Sequence, residues 1–440
     1  MSSQRRRKQF QPTPEQTALA EHRKAKKQQI ITDASQLQSV AERNHTIPPI
    51  AQRVWLPVHP PSRVQGCQII KICTWNLLAQ CLIRRDLFPT SDCLKAAQRE
   101  HMLYYELLEV DADIICLQEV DRLEKLLPIL EKAGYAHHYA AGPGKKHGCL
   151  IAFKKKLYNV LASRPVEYDT QEIRSDGNEN ARRGRSFTTR NIGSLILLES
   201  KIKENDGILV ATTHLFWHPK QAAILFREVL KFRNDACCEG WPCIVGGDFN
   251  FAPDDPVYSL IVGDHLLPEQ EERLTTSQVV HISVDPTGIP TIGTDEENEE
   301  GLDPDKFIIN ARPATCTDGL LSLTELVDVF SRLPQIKSVY DEGLGGIEAI
   351  NRPRTFGHRV PISLTRRGRN EPEYTSYTHY WKTVLDYLFV LDPGDRPSKV
   401  IELLAPHKEE TLKPGLPQKG VCSSDHILLA AIVCWEDPLH

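Results

Sequence analysis

The chain has no apolar run long enough to cross a bilayer, which takes ~20 residues. Its longest late run, from Ile427 to Trp435, is far shorter. No apolar stretch near the start could serve as a secretory signal. The twelve cysteines include no CxxC pair, which argues against a zinc ribbon. Cys73 and Cys116 lie inside apolar, strand-like runs and read as buried free thiols. Free thiols imply a reducing compartment, cytoplasm or nucleus. No internal repeat is visible. What is present is ordinary for a globular protein: 440 residues, 40% hydrophobic and 25% charged, enough for one large α/β domain or two smaller ones.

Charge is spread unevenly. Residues 1–27 hold eight Lys and Arg against Glu15 and Glu21, a balance of +6. With −5 overall, the remaining chain carries −11. A basic tail on an acidic body fits contact with nucleic acid or an anionic surface, or a nuclear signal. A solvated extension is the plain alternative.

Thr13-Pro14-Glu15-Gln16 has the form of a helix start, and a polar helix is expected from there toward Arg43. Ile47-Pro48-Pro49 and Pro57 to Pro61 read as a stiff linker. The chain therefore divides into an extension of residues 1–65 and a folded domain of residues 66–440, its first strand near Gln68. Strands are expected at Gln68–Asn76, Ile114–Gln118, Cys149–Phe153, Gly193–Leu198, Ile208–Thr213, Cys243–Gly247, Val384–Val390, Lys399–Leu403 and Ile427–Val433. Cys93–Glu109, Asp121–Lys132 and Pro219–Asp235 have helical spacing. Many strands with few helices predict an α/β architecture of two packed sheets flanked by helices. Arg174–Arg185 reads as an exposed loop. Residues of about 263–317, with the acidic run Asp295–Asp305, read as a disordered insertion.

Five short words end apolar runs of strand length: Asn76 in TWNLL, Glu119 in ICLQEV, Asp248 and Asn250 in VGGDFN, Asp386 in LDY, and Asp425-His426 in SSDH. Polar groups there sit at the rim of a sheet. Asp248 and Asn250, two apart, share a side on a strand. Each word alone has a plain explanation: a solvated strand end, a turn Asn, a tight Gly turn, a cap. His214, opening HLFWHP after ILVATT, is either a second imidazole facing a phosphate or part of a strand-to-helix turn started by Pro219. Together the words supply carboxylates, amides and histidine. That mixture suits a hard cation such as Mg²⁺ and cleavage of a phosphate ester by polarised water.

In this order the words resemble the endonuclease/exonuclease/phosphatase superfamily, which includes deoxyribonuclease I and the apurinic endonucleases. The resemblance spans about Lys71 to Val433. HLFWHP, HYWKTVLDYLF and SSDH look most like the deadenylase-type branch, with its Ccr-type deadenylases, nocturnin, angel proteins and fungal NGL RNA exonucleases. The Lys/Arg-rich start makes the NGL exonucleases the nearest likeness. No leucine-rich repeats precede the domain, a departure from the Ccr-type enzymes.

The resemblance implies a four-layer α/β sandwich of two packed mixed β-sheets flanked by helices, with the site at one end. It implies that Glu119 is the principal Mg²⁺ ligand, aided by Asn76 and Asp425, with Mn²⁺ able to substitute. Asp248 would manage the attacking water or hold a second ion, and Asn250 would lie near the scissile phosphate or terminal base. His426, oriented by Asp386, would stabilise the phosphoryl oxygens, and His214 would face the same phosphate. Trp381 and Pro219 would clamp a nucleobase; core packing is the plain alternative for Trp381.

The activity implied is a Mg²⁺-dependent 3′→5′ exoribonuclease releasing 5′-mononucleotides from single-stranded RNA, whether a poly(A) tail or the 3′ end of a ribosomal or non-coding precursor. Alternatives are a nocturnin-like nucleotide 2′-phosphatase, a DNA-repair endonuclease and a silent RNA-binding scaffold. The expected partners are RNA and, through the basic extension, ribosomal or RNA-processing proteins, with no membrane. Cytoplasm or nucleus is expected ahead of the mitochondrion, because Glu15 and Glu21 are unlike a presequence.

Overall fold

The structure, a computed structural model, describes residues 50–59, 67–292, 308–394 and 396–436. The expected helix from Thr13 and the acidic run Asp295–Asp305 lie outside the described residues. Along the chain come β1 (Trp55–Pro57), β2 (Cys67–Asn76), α1 (Ala96–Val110), β3 (Ile114–Val120), α2 (Leu123–Lys132), β4 (Tyr135–Ala140), β5 (Gly148–Lys154) and β6 (Tyr158–Glu167). Next are α3 (Glu179–Arg183), β7 (Ile192–Ser200), β8 (Gly207–His214), α4 (Pro219–Asp235), β9 (Cys243–Asp248), α5 (Pro256–Val262) and α6 (Pro268–Thr276). Then follow β10 (Val279–His281), β11 (Ala311–Pro313), α7 (Leu323–Ser331), β12 (Ile336–Ser338), α8 (Val339–Gly346) and β13 (Ser376–Tyr377). Last come β14 (Lys382–Thr383), β15 (Asp386–Leu391), β16 (Ser398–Leu404) and β17 (Leu429–Glu436).

Among the described residues, one mixed sheet has seven strands in the order β1-β16-β17-β2-β3-β5-β4, and the other has six in the order β12-β15-β9-β8-β7-β6. Each contains one parallel pair near its middle, β2 with β3 and β8 with β9. Successive strand side chains point to opposite faces. Ile70, Ile72, Ile114, Cys116 and Ile151 therefore meet Ile196, Ile208, Val210, Ile244 and Leu388 between the sheets. The intervening Cys73, Trp75, Ile115 and Leu117 are covered by Leu103 and Leu107 of α1 and Leu126 and Leu130 of α2. Leu195, Leu209, Val245 and Phe389 are covered by Ala222, Leu225, Phe226 and Val229 of α4 and by Val257 of α5. Helix, sheet, sheet and helix make four layers, the sandwich expected. Strands buried on both faces read as unbroken apolar runs, which is why they were legible. Truncating one such side chain, Leu209 to Ala, costs about 2–5 kcal/mol through lost burial and the cavity left.

Three expectations are corrected. Residues before 66 are not all linker: β1 pairs with β16, Trp55 opposite Leu404. Arg53 donates to the carbonyls of Ala405 and Leu428, both at 2.7 Å. Pro57 is tolerated because β1 is an edge strand. The stretch of about 263–317 contains α6 and the antiparallel pair β10–β11. Within Arg174–Arg185, the short helix α3 is capped by Asn178, whose side chain accepts the Ala181 N–H at 2.9 Å, and ends at Gly184 with φ +50.

Candidate active site

Strand register puts the polar words side by side. β8 and β9 run parallel and both end at the same edge, His214 opposite Asp248. β15 runs back from that edge, so Asp386 stands opposite Asp248 on its other side. Three neighbouring strands thus present His214, Asp248 and Asp386 in one row. Carboxyl ends of parallel strands are where open α/β sheets form ligand crevices. The facing sheet contributes Asn76 from the end of β2 and Glu119 from β3. Strict alternation would place Glu119 on the opposite face from its neighbour Gln118. The ladder instead slips between Leu117 and Val120, and Glu119 has φ +54. A bulge with left-handed backbone re-aims the side chain, the kind of strain held at functional sites.

Hydrogen bonds join the two sheet edges. Asn76 Nδ2 donates to Glu119 Oε1 at 3.1 Å and to Asp248 Oδ2 at 2.9 Å. Asn76 Oδ1 accepts the Leu78 N–H at 3.0 Å. Asn76 thus bridges two carboxylates through its nitrogen, and its oxygen keeps a second lone pair beside the Leu78 N–H. Glu119 Oε2 accepts the Ala79 N–H at 2.8 Å. His214 lies 3.6 Å from both Glu119 Oε1 and Asp248 Oδ2. His426 places Nδ1 2.8 Å from Asp386 Oδ2 and Nε2 3.7 Å from Asp248 Oδ2. Asp386 is fixed through its backbone N–H, which donates to Thr375 Oγ1. Asp425 is buried beside Ser424, whose hydroxyl donates to the Asn76 carbonyl at 2.6 Å.

Charge follows from this crowding. Burial alone would raise Glu119, but His214, the Ala79 N–H and the Asn76 amide hold its carboxyl below the usual range. Burial pushes the Asp386 carboxyl up to about 6, against the pull of His426. Burial would lower His426, yet Asp386, Asp248 and Asp425 outweigh it and keep the imidazole protonated well above its ordinary range. Burial, with Glu119 adding repulsion, raises Asp425. Four buried carboxylates around two imidazoles and one amide are an anionic, oxygen-rich donor set, which fits a divalent cation. Asp248, Asp386 and His426 themselves lie close enough to share an ion. Glu119 and Asp425 lie near enough to that group for each to feel the charge of His426.

The other expected residues fall less neatly. Asn250 has φ +55, its backbone N–H bonds Asp248 Oδ1 at 3.1 Å, and its amide nitrogen donates to the Leu215 carbonyl at 2.8 Å. Trp381 is half-buried on the β13–β14 hairpin, Nε1 donating to Ser376 Oγ at 3.1 Å and its ring edge-on to Phe88 at 6.1 Å. Pro219 is buried as the first residue of α4. The two glycines of GGDFN admit the protein itself. A Cβ on Gly247 would meet the Thr213 carbonyl oxygen at 2.4 Å, and one on Gly246 would crowd Leu388 and Thr74.

Arg99 was missed. It is buried on α1 and donates to the Ser423 carbonyl at 2.6 Å, the Leu78 carbonyl at 2.7 Å and the Leu77 carbonyl. One guanidinium so ties the loop after Asn76 to the loop before Asp425. The signal was present: Arg99 precedes Leu103 and Leu107 by four and eight residues, on the buried face of the helix.

Comparison with known proteins follows the same lines. Residues 73–426 match the model of the Endonuclease/Exonuclease/phosphatase family. The chain is 26% identical over 442 residues to RNA exonuclease NGL2 of Saccharomyces cerevisiae, a match covering 87% of this chain and 81% of that protein. It is 28% identical over 428 residues to Probable RNA exonuclease NGL3 of the same yeast, covering 86% and 81%. Among solved structures it is similar to ANGEL2, a 2′,3′-cyclic phosphatase, in complex with adenosine-2′,3′-vanadate. That likeness has a TM-score of 0.56 and 22% identity over 88% of this chain and 100% of the other, and it speaks for the fold.

Proposed function

The chain belongs to the endonuclease/exonuclease/phosphatase family, and on that premise we propose that it is a Mg²⁺-dependent 3′→5′ exoribonuclease releasing 5′-mononucleotides from single-stranded RNA. The family makes it a hydrolytic enzyme of the nuclease and phosphodiesterase kind. The observation that carries the reading is the single row of His214, Asp248 and Asp386, faced by Glu119 and closed by His426. The names of the two yeast relatives support RNA as the substrate class.

Glu119, Asp248 and Asp425 would hold the cation. When bound it would supply Lewis-acid polarisation of the phosphate and lower the pKa of water. The side chains do the rest. His426, kept cationic by its carboxylate neighbours, stabilises negative charge gathering on the phosphoryl oxygens. Asp386 fixes which nitrogen of that imidazole faces the phosphate. Asp248, bonded to Asn76 and the Asn250 N–H, orients the attacking water. Trp381 offers a stacking face to the terminal base, which grips any base without reading its edges. The basic extension would add phosphate contacts or dock ribosomal or RNA-processing proteins, and the twelve free cysteines favour work in cytoplasm or nucleus.

The test is a substrate panel with the purified chain and Mg²⁺: single-stranded RNA, a dinucleotide carrying a 2′-phosphate, and abasic duplex DNA. Mononucleotides from RNA are expected. Activity on the dinucleotide phosphate but not on RNA would replace the proposal with a small-nucleotide phosphatase, and cleavage of abasic DNA alone with a repair endonuclease.

A further inference from the structure

A small pocket, of about 20 Å³, opens to solvent beside the start of α4 and is lined by Tyr168, Asp169, Arg185, Ser186, Lys220 and Gln221. Phe187 and Phe216 also line it. Lys220 is only 7% exposed. Among the described residues its ammonium has no hydrogen-bond or ion-pair partner. The Nε of Arg185 is likewise buried without an acceptor. A buried cation normally has a paired anion. Asp169, the carboxylate on the lining, is engaged elsewhere: it accepts the Arg190 N–H at 2.7 Å and the Thr189 hydroxyl at 3.4 Å. Burial pulls the Lys220 ammonium down to about 7, against the opposing pull of Asp169 and with Arg185, Arg183 and Arg227 adding repulsion. An anion at the mouth of the pocket would reverse that shift. Lys220 also lies in the first turn of a 17-residue helix, whose free N–H groups favour negative charge.

The pocket adjoins the catalytic edge. Tyr168 on its lining bonds the hydroxyl of Thr213, the residue before His214, at 2.8 Å. Its rim is aromatic: Phe187 stacks on Phe216 at 5.3 Å and on His281 at 4.2 Å.

We propose that this pocket is a phosphate-binding subsite for the nucleic-acid strand held at the catalytic edge, with Lys220 and Arg185 taking a backbone phosphate at its mouth. This rests on the proposed exoribonuclease reading. It adds a contact away from the scissile bond, one that lengthens the strand the enzyme grips.

Two measurements test it. Inorganic phosphate is titrated calorimetrically into the full chain with Mg²⁺ present, for the native protein, Lys220→Met and Lys220→Arg. The native protein should bind. Lys220→Met should bind about tenfold or more weakly, the scale of one charge-assisted hydrogen bond. Lys220→Arg should keep most of the affinity. Equal binding by native and Lys220→Met overturns the site. The second measurement is KM on RNAs of increasing length. Lys220→Met should raise KM progressively with length until the strand reaches the pocket. Lost phosphate binding with an unchanged KM series overturns the strand assignment and leaves a site for free phosphate. Should the chain cut no RNA at all, the exoribonuclease reading fails, while the calorimetry still decides whether the pocket binds phosphate.

Discussion

Asp386 Oδ2 stands 2.8 Å from His426 Nδ1, and the other nitrogen of that imidazole lies 3.7 Å from Asp248. One carboxylate therefore decides how the imidazole meets the phosphate. If Asp386 acts only through His426, the two form a unit, and residues acting as a unit give non-additive losses. Asp386→Asn and His426→Ala should each lower kcat by about 10²-fold or more, the scale of losing a major electrostatic contribution. The double variant should be little worse than the poorer single one. Multiplicative losses in that cycle would uncouple the pair.

Arg99 should matter through the two loops it ties together. Arg99→Met strands the carbonyls of Leu77, Leu78 and Ser423 in a buried setting. It should cost about 3 kcal/mol by urea denaturation, since each unmet buried acceptor is expensive. At a temperature where the variant stays folded, kcat should fall more than KM rises, because the loops bearing Asn76 and Asp425 lose alignment. Unchanged stability would contradict the tie.

Trp381→Ala should cost about 10–100-fold in kcat/KM on RNA, the range of one stacked base. Trp381→Phe should retain most of the activity. Pro219→Ala should leave KM nearly unchanged, since Pro219 is buried at the helix start. A Pro219 effect as large as that of Trp381 would support the two-sided clamp.

A pH dependence of stability resides away from the site. Glu371 is fully buried and accepts the Tyr258 hydroxyl at 2.9 Å. Burial, with Asp341 repelling it, raises its carboxyl from 4.5 to about 8. The folded state then holds this proton more tightly than the unfolded chain. Its contribution is fully present below about pH 4.5 and is lost as pH rises through about 8. Glu371→Gln should flatten the Tm–pH curve over that window and raise Tm at its alkaline end. Parallel curves for the two proteins would contradict this.

Much of this was legible because apolar runs and rim residues are local signals. The runs around Ile72, Ile115, Leu209 and Val245 predict buried strands, and the polar residues ending them are those the register aligns. What was illegible depends on tertiary contact. β1 is three residues on a sheet edge, too short to show a period. Pro219 reads equally well as a clamp or a helix start, and its burial at that start is set by the fold. Which atom of Asn76 meets Glu119 depends on the Leu78 N–H, two residues on but set by the fold. Nothing in the spacing of Lys220 announces that its side chain is buried.

The central claim is metal-dependent release of nucleotides from the 3′ end of RNA, and one time course tests it most directly. Single-stranded RNAs with the 3′ end blocked, the 5′ end blocked or both ends joined in a circle are incubated with the chain and Mg²⁺, with and without excess EDTA. The account predicts 5′-mononucleotides and a descending ladder from RNA with a free 3′ end, resistance of the 3′-blocked and circular RNAs, and no products in EDTA. Glu119→Gln should run at least about 10²-fold slower under the same conditions. Internal cuts in the circle, or full activity in EDTA or in Glu119→Gln, would contradict it.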